Sequence, residues 1–260
     1  MSLDHAEDFV KRLEPTEDAF LGGRLAVLQP AKGFRAGLDS VLLGAAVGAG
    51  KGRLLDLGAG VGTASLVAMH HNSSLSALLA ERDEAILPLT HKNLARNGFS
   101  TRAEAICVDV CARGRDRQAA GLEPDAFSRV IANPPFFDEA AGTRAGAARA
   151  DARHMAAEAL DLWVRAAATC AAAGGEIVFI YPAAGLVPLI SAFDQRFGAI
   201  CLLPLSPRPE ADATRILVRA RKGSRAPLRM LTPRYLHARE GRAFMPEFEA
   251  IFRGEARLDW

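Results

Sequence analysis

Apolar and polar residues follow each other in blocks whose spacing alternates between that of β-strands and that of α-helices. Short apolar runs predict seven strands, at "RLLDLGAG", "LSALLAERD", "AEAICVDV", "FSRVIANPPFF", "GEIVFIYP", "GAICLLPL" and "ATRILVRARKG". Helical spacing predicts helices over 63–71, 84–97, 156–173 and 185–197, and an apolar helix in "AGLDSVLLGAAVGAG" ahead of the first strand. The chain is therefore expected to be an α/β protein.

The regular alternation predicts an open, doubly wound, Rossmann-like sheet of seven mostly parallel strands. The connector between the last two strands, 206–212, is too short for a crossover helix, so the last strand is predicted to be antiparallel. We expect an acidic N-terminal segment over 1–27, a central domain over 28–223 and a basic C-terminal extension over 224–260. Ligands of such sheets bind outside the carboxyl ends of the strands.

Composition narrows the class of protein. Half of the 260 residues are hydrophobic, yet no apolar run approaches the roughly 18 residues of a membrane helix. The first residues, "MSLDHAEDFVKRLEPTED", lack the apolar core of a secretion signal. The four cysteines, and His70, His71 and His154, show no metal-ligand spacing. We expect a cytoplasmic protein with reduced thiols, without a metal site and without a membrane partner.

Charge is unevenly distributed along the chain. The stretch 215–242 carries nine Lys and Arg residues against one acid, a net charge of +8, which leaves −6 for the rest of a chain whose total is +2. One interpretation is a solvated tail that keeps the protein soluble. The other is a surface that faces phosphate groups, since basic patches attract polyanions.

A cluster of glycines follows the first strand. Gly58, Ala59, Gly60 and Gly62 form a turn in which the backbone can bend tightly and a ligand can approach closely. The spacing is neither that of the dinucleotide fingerprint nor that of a phosphate-binding loop. Asp56 lies in the strand below, where it could orient this turn or hold the amino group of a cofactor.

Acidic residues stand at the ends of the next two strands. Glu81 follows the glycines by about 20 residues, where a carboxylate can accept from both hydroxyls of a ribose. Asp109 ends the third strand and could accept from the exocyclic amine of an adenine. The alternatives are a surface acid at Glu81 and a turn-forming aspartate at Asp109. We assign the neighbouring Arg82 and Val110 to the same cofactor site.

The fourth strand ends in Asn133-Pro134-Pro135-Phe136. The prolines stop the strand and stiffen the chain beyond it. The Asn133 amide oxygen and the Pro134 carbonyl can accept both hydrogens of an sp² amine, in an adenine or a carboxamide. Phe136 offers a face for stacking, so we expect activation by positioning and electrostatics. We also assign Asn133 to the cofactor site. A purely structural turn is the alternative.

Together, "LLDLGAGVGTASL", Glu81, Asp109 and "NPPFF" resemble the Rossmann-like S-adenosylmethionine-dependent methyltransferases that modify amino nitrogens. The segments "GFRAGLDSVLLGAAV" and "PEADATRILVRARKG" are similar to the bacterial tRNA(Val) adenine-N6 methyltransferase family. The resemblance covers roughly 28–223. It implies that the glycines wrap the cofactor's methionine portion, that Glu81 binds its ribose, that Asp109 lies by its adenine and that 133–136 hold the target amine.

The resemblance further implies S-adenosyl-L-methionine as cofactor and adenine N6 in RNA, tRNA in particular, as the methyl acceptor. We expect the RNA to contact the basic segment 215–242 and the loop 138–154, with the target base moved out of its stack. Two alternatives stay open: a methyltransferase of a protein glutamine amide, and a non-catalytic RNA-binding protein with a vestigial cofactor fold. Asp39 could cap the first helix or face the cofactor's methionine end.

Overall fold

A computed structural model describes residues 15–33, 35–136 and 146–260, with only the backbone described for 146–154 and 156. The strands are β1 Pro15–Phe20, β2 Leu25–Pro30, β3 Gly52–Leu57, β4 Leu75–Glu81, β5 Ala103–Cys107, β6 Phe127–Ala132, β7 Ala171–Pro182, β8 Phe197–Ser206, β9 Arg215–Lys222, β10 Arg229–Met230 and β11 Arg234–Tyr235. The helices are α1 Leu38–Ala45, α2 Thr63–His70, α3 Leu87–Arg96, α4 Gly114–Ala119, α5 Gly146–Cys170, α6 Leu186–Asp194 and α7 Pro246–Phe252. Each of these helices is too short or too polar to cross a membrane.

The central sheet has the strand order β10-β8-β9-β7-β6-β3-β4-β5, and β11 also pairs with β8. The neighbouring strands β7, β6, β3, β4 and β5 pair in parallel. Strand β9 is antiparallel to both β7 and β8. The predicted mostly parallel sheet with an antiparallel last strand is therefore confirmed. Because β9 runs in reverse, its first residue, Arg215, lies at the edge where the parallel strands end.

Hydrophobic cores cover both faces of the sheet, because the parallel strands are apolar on both sides. In β7, Val178 and Ile180 pack with α1, α2, α3 and α7, whereas Ile177 and Phe179 face α5 and α6. This alternation follows from the two-residue period of a strand. Layers of helices on both sides leave the strand ends as the place where a ligand can enter.

The N-terminal hairpin β1–β2 was not predicted, because β1 is polar and mostly exposed and gives no apolar pattern. It docks on α3 through two asparagines. Asn93 Oδ1 accepts from Leu28 N at 2.8 Å, and Asn93 Nδ2 donates to Leu28 O at 3.0 Å. Asn97 makes the same pair of bonds with the backbone of Ala26, at 3.0 and 2.9 Å. The side-chain amides thus satisfy the free edge of β2.

The C-terminal part of the chain packs on the main domain. β10 and β11 add to the edge strand β8, and Phe248 and Ile251 of α7 are buried in the core. Leu258 N donates to Ala45 O at 3.0 Å, which fixes the last residues against α1.

The predicted loop over 138–154 is wrong in its second half, because α5 already begins at Gly146. The stretch from 146 to 154 is rich in alanine and arginine, which are strong helix formers. Residues 138–145 of this predicted loop lie outside the described residues.

Candidate active site

A cleft of about 440 Å³ lies at the carboxyl ends of β3, β4 and β6. It brings together many of the predicted site residues, namely Asp56, Gly58, Ala59, Gly60, Glu81, Arg82 and Asn133. Gly62, Asp109, Val110, Pro134, Pro135 and Phe136 lie outside its lining. The cleft therefore joins the glycine turn, the acid that ends β4 and the amide that follows β6.

The glycine turn after β3 needs glycine for two different reasons. Gly58 has φ +66°, and a Cβ added there would lie 2.3 Å from the ring of Trp163, so the close approach of α5 excludes a side chain. Gly60 has φ +54° and no atom within 4 Å of an added Cβ. Gly60 therefore leaves open space beside the backbone of the cleft, and its left-handed conformation favours glycine.

Glu81 holds the glycine turn in place. Its Oε2 accepts from Gly60 N at 2.9 Å, and its Oε1 accepts from Arg82 N and Asp83 N at 2.8 and 2.9 Å. A carboxylate offers roughly four acceptor positions, so about one is left for a ligand hydroxyl. The carboxylate predicted to bind a ribose is thus also the brace of the loop that would surround the cofactor.

Asp56 forms part of the buried floor of the cleft. Its side chain is almost fully enclosed, and Ser65 Oγ donates to its Oδ2 at 2.8 Å. Burial raises the pKa of Asp56 to about 7, and the nearby charge of Glu81 adds to this effect, whereas the Ser65 hydrogen bond opposes it. A cationic group in the cleft would favour the ionised form of Asp56.

The segment after β6 presents an amide beside an aromatic ring. Asn133 is half-buried and lines the cleft, and its side chain makes no hydrogen bond to any described residue. Pro134 is buried, whereas Pro135 and Phe136 are exposed, Phe136 by 41%. The amide of Asn133 therefore lies at the cleft, and the ring of Phe136, three residues further on, is partly exposed.

Asp109 and Val110 do not reach the cleft. Asp109 is exposed, and its Oδ1 accepts from Cys111 N at 2.8 Å, the hydrogen bond of a turn-forming aspartate. Val110 is buried in the core around α5. Gly62 directly precedes α2 and is its N-cap residue, in the left-handed conformation. Their assignment to the cofactor site stays a prediction.

Sequence reasoning missed the wall of the cleft that comes from the N-terminal region. The segment from the end of β2 to the start of α1 contributes Pro30, Lys32, Gly33 and Ala36 to this wall. Helix α1 contributes Ser40 and Leu43. The one signal was "GFRAGLDSVLLGAAV", which carried the family resemblance.

The two roles considered for Asp39 are not those that the structure shows. The N-cap of α1 is Gly37, without a side-chain capping bond, and Asp39 does not line the cleft. Its carboxylate pairs instead with Arg215.

Partners within the protein occupy much of the basic segment 215–242. Pairs form between Arg215 and Asp39, Arg219 and the Trp260 carbonyl, Lys222 and Asp125, Arg234 and Glu247, and Arg239 and Glu210. Among the described residues, no partner is found for Arg221, Arg225, Arg229 and Arg242. Arg221 and Arg229 line a second cavity of about 350 Å³.

The fold and the cleft define the class: the protein is a methyltransferase that uses S-adenosyl-L-methionine as cofactor. The family model described as "Methyltransferase small domain" matches residues 38–181, and the chain belongs to this family.

Relatives and solved structures agree with this class. The tRNA1(Val) (adenine(37)-N6)-methyltransferase of Shewanella halifaxensis is 30% identical over 197 residues, which is 72% of this chain and 74% of the relative. A crystal structure from Agrobacterium tumefaciens, described as that of a "predicted O-methyltransferase", is 30% identical with a TM-score of 0.73, over 85% of this chain and 98% of that one. The 16S rRNA N2 G1207 methyltransferase of T. thermophilus, in complex with AdoMet and guanosine, shares the fold at 20% identity and a TM-score of 0.54, over 80% of this chain and 50% of that one.

Proposed function

We propose that the protein methylates the N6 amine of an adenine in RNA, and specifically in a tRNA. The observation that carries this proposal is the amide of Asn133, which lines the cofactor cleft without a hydrogen bond to any described residue, three residues before the exposed ring of Phe136. An acceptor amine held there would lie at the border of the cofactor cleft.

Asn133 and Pro134 would hold the amine. The Asn133 side-chain oxygen and the Pro134 carbonyl accept its two hydrogens, which leaves the nitrogen lone pair free for attack. Phe136 stacks on the base, as aromatic residues do in RNA recognition. The cofactor supplies an electrophilic methyl group. The new N–C bond forms as the C–S bond breaks, and the amine then loses one proton to water, so no strong base is required.

The residues of the cleft fit the cofactor. The open space at Gly60 admits a ligand against the backbone, and Glu81 keeps about one acceptor position for a ribose hydroxyl. Asp56 would face the cofactor's amino group, since a cation compensates the cost of a buried carboxylate. Asp109 remains the proposed neighbour of the adenine, across the turn that follows β5.

RNA as the acceptor is supported by the name of the Shewanella relative and by Arg229, for which no partner is found in the part of the chain that the structure describes. Arg229 begins β10, which lies four strand spacings from β6. At about 4.8 Å per spacing, Arg229 and Asn133 are separated by roughly 20 Å across the sheet. A folded RNA can span this distance, with a phosphate at Arg229 and one base moved out of its stack at Phe136. Arg221 lies opposite Glu176 in the pairing of β9 with β7, nearer the amino ends of the parallel strands.

The proposal is tested with labelled cofactor and bulk tRNA from a strain that lacks the gene. We expect label at N6 of one adenosine after digestion to nucleosides, and none with an Asn133→Ala variant that still binds the cofactor. Label in a protein glutamine, with none in RNA, would instead establish the alternative acceptor. Cofactor binding without methylation of either acceptor would support the vestigial cofactor fold.

A further inference from the structure

One side chain connects the first turn of α1 with the aromatic ring beside the cleft. Arg215 opens β9 opposite Pro182, the last residue of β7. Its Nε donates to Asp39 Oδ2 at 2.8 Å, and its guanidinium carbon lies 5.5 Å from the centroid of the Phe136 ring. The hydrogen bond between Arg215 and Asp39 joins segments that are 176 residues apart in sequence.

The guanidinium is fixed on more than one side. Nε is held by Asp39, and Nη1 donates to Thr214 O at 3.1 Å. The side chains of Arg215 and Asp39 are 32% and 26% exposed, so solvent screens their charges only in part. A planar guanidinium held in this way offers its charge to the face of a neighbouring ring.

Among the described residues, Phe136 is not one of those that pack on either hydrophobic core. Its ring is 41% exposed, and the prolines before it fix the backbone but leave the side-chain rotamer free. We propose that Arg215 is a positioning residue that holds the Phe136 ring as the stacking surface for the acceptor base, and that Asp39 orients Arg215. This inference rests on the proposed function, because a planar base is what the ring would receive.

The ion pair between Arg215 and Asp39 also connects the proposed site of the acceptor base with the cofactor cleft. Asp39 belongs to α1, and Ser40 and Leu43 of that helix line the cofactor cleft. The stacking surface is thus fastened to a wall of the cofactor cleft through Asp39 and Arg215. This connection would place the base relative to the cofactor, and it uses neither Asn133 nor Pro134, the two residues that would hold the amine.

A double-mutant cycle tests the contact. Arg215→Ala is expected to lower kcat/KM for tRNA by about 3- to 30-fold when Phe136 is present, the range of a cation–π contact. In a Phe136→Ala background the same change should cost less than about 2-fold, because the ring that it positions is gone. An equal loss in both backgrounds would overturn the proposal. Cofactor affinity should stay unchanged throughout.

Two further variants separate positioning from charge and from folding. Arg221→Ala removes an arginine of the same strand that has no partner among the residues described, and its effect should be the same with and without Phe136. Asp39→Asn keeps the size of the side chain but loses the ion pair, and it should reproduce part of the Arg215→Ala loss only when Phe136 is present. Thermal melting checks that each variant folds. If Arg215→Ala does not fold, Asp39→Asn takes its place in the double-mutant cycle with Phe136→Ala.

A measurement without catalysis keeps the inference independent of the proposed acceptor. With Phe136→Trp as a fluorescent probe, and the Phe136 protein as the reference that accounts for Trp163 and Trp260, the difference in acrylamide quenching reports how accessible the ring is. Removing Arg215 should increase the quenching, and an unchanged value would overturn the positioning role. If the wild-type protein methylates no RNA, the proposed function fails, while this readout still tests the contact.

Discussion

Replacing Asp56 by Asn should change how the stability of the protein depends on pH. The pKa of Asp56 in the folded protein is about 7, raised from the ordinary value of 3.8 mainly by burial. Between these two values the native state binds a proton that the unfolded state has lost, so the free energy of unfolding falls as pH rises. The slope is about 1.4 kcal/mol per pH unit, and the total over about three units is on the order of 4 kcal/mol. Above pH 7 the loss is complete.

Urea denaturation of both proteins, at intervals from about pH 4 to about pH 8, measures this difference. The stability of Asp56→Asn relative to wild type should increase steadily with pH and level off above about pH 7, because Asn cannot ionise. If the free energies of unfolding of the two proteins change with pH in the same way, burial does not raise the pKa of Asp56. Ser65→Ala offers a second check: it removes a hydrogen bond that lowers the pKa, so the levelling point should move to higher pH.

Binding of the cofactor should convert the Asp56 carboxyl from its protonated form to its ionised form. If its ammonium group lies against Asp56, binding near pH 6 releases up to about one proton, because the cation favours the ionised carboxylate. Calorimetry in two buffers with different heats of ionisation counts that proton. The Asp56→Asn variant should release none, and an equal release from both proteins would place the ammonium elsewhere.

Three further changes test the remaining parts of the site. Asn133→Ala should lower turnover by about 10²–10³, as for loss of one preorganised contact, with unchanged cofactor affinity by calorimetry; a lost cofactor would make Asn133 structural. Glu81→Ala should weaken cofactor binding by about 1.5–3 kcal/mol or more, since it removes a ribose acceptor and the brace of Gly60; an unchanged affinity contradicts both roles. Exchanging Arg225 and Arg229 for Glu should make the fall of RNA affinity with salt shallower than in wild type, where each phosphate contact adds about 0.7–0.9 to the slope in filter binding; a flat wild-type response speaks against RNA.

The sequence predicted the sheet well because its parallel strands are buried on both faces and read as apolar runs. Glu81 and Asn133 were found for a related reason: each directly follows or ends such a run, and parallel strands bring their carboxyl ends to one edge. Residues that meet through this topology can be identified from one chain without any distance information.

Other features left no local signal. The contact of Arg215 with Asp39 depends on the reversed strand β9, and nothing near either residue indicates its partner. The basic segment looked uniform in sequence, yet opposite charges from distant segments occupy much of it, such as Asp125 on Lys222 and Glu210 on Arg239. A count of charges along the chain cannot separate arginines that bind the protein from those that face a partner.

The docking of the N-terminal hairpin on α3 has a consequence for dynamics. Asn93 is fully buried and uses its whole amide: it bonds the backbone of Leu28 and also donates to Val61 O at 3.0 Å, inside the glycine turn. One turn earlier, Thr90 Oγ1 donates to Gly60 O at 2.8 Å. Detaching the hairpin would therefore free the Asn93 amide that also holds the glycine turn, which lines the cleft. The amide protons of β2 and of the glycine turn should exchange with solvent through one shared opening event, and a bound cofactor should slow both together.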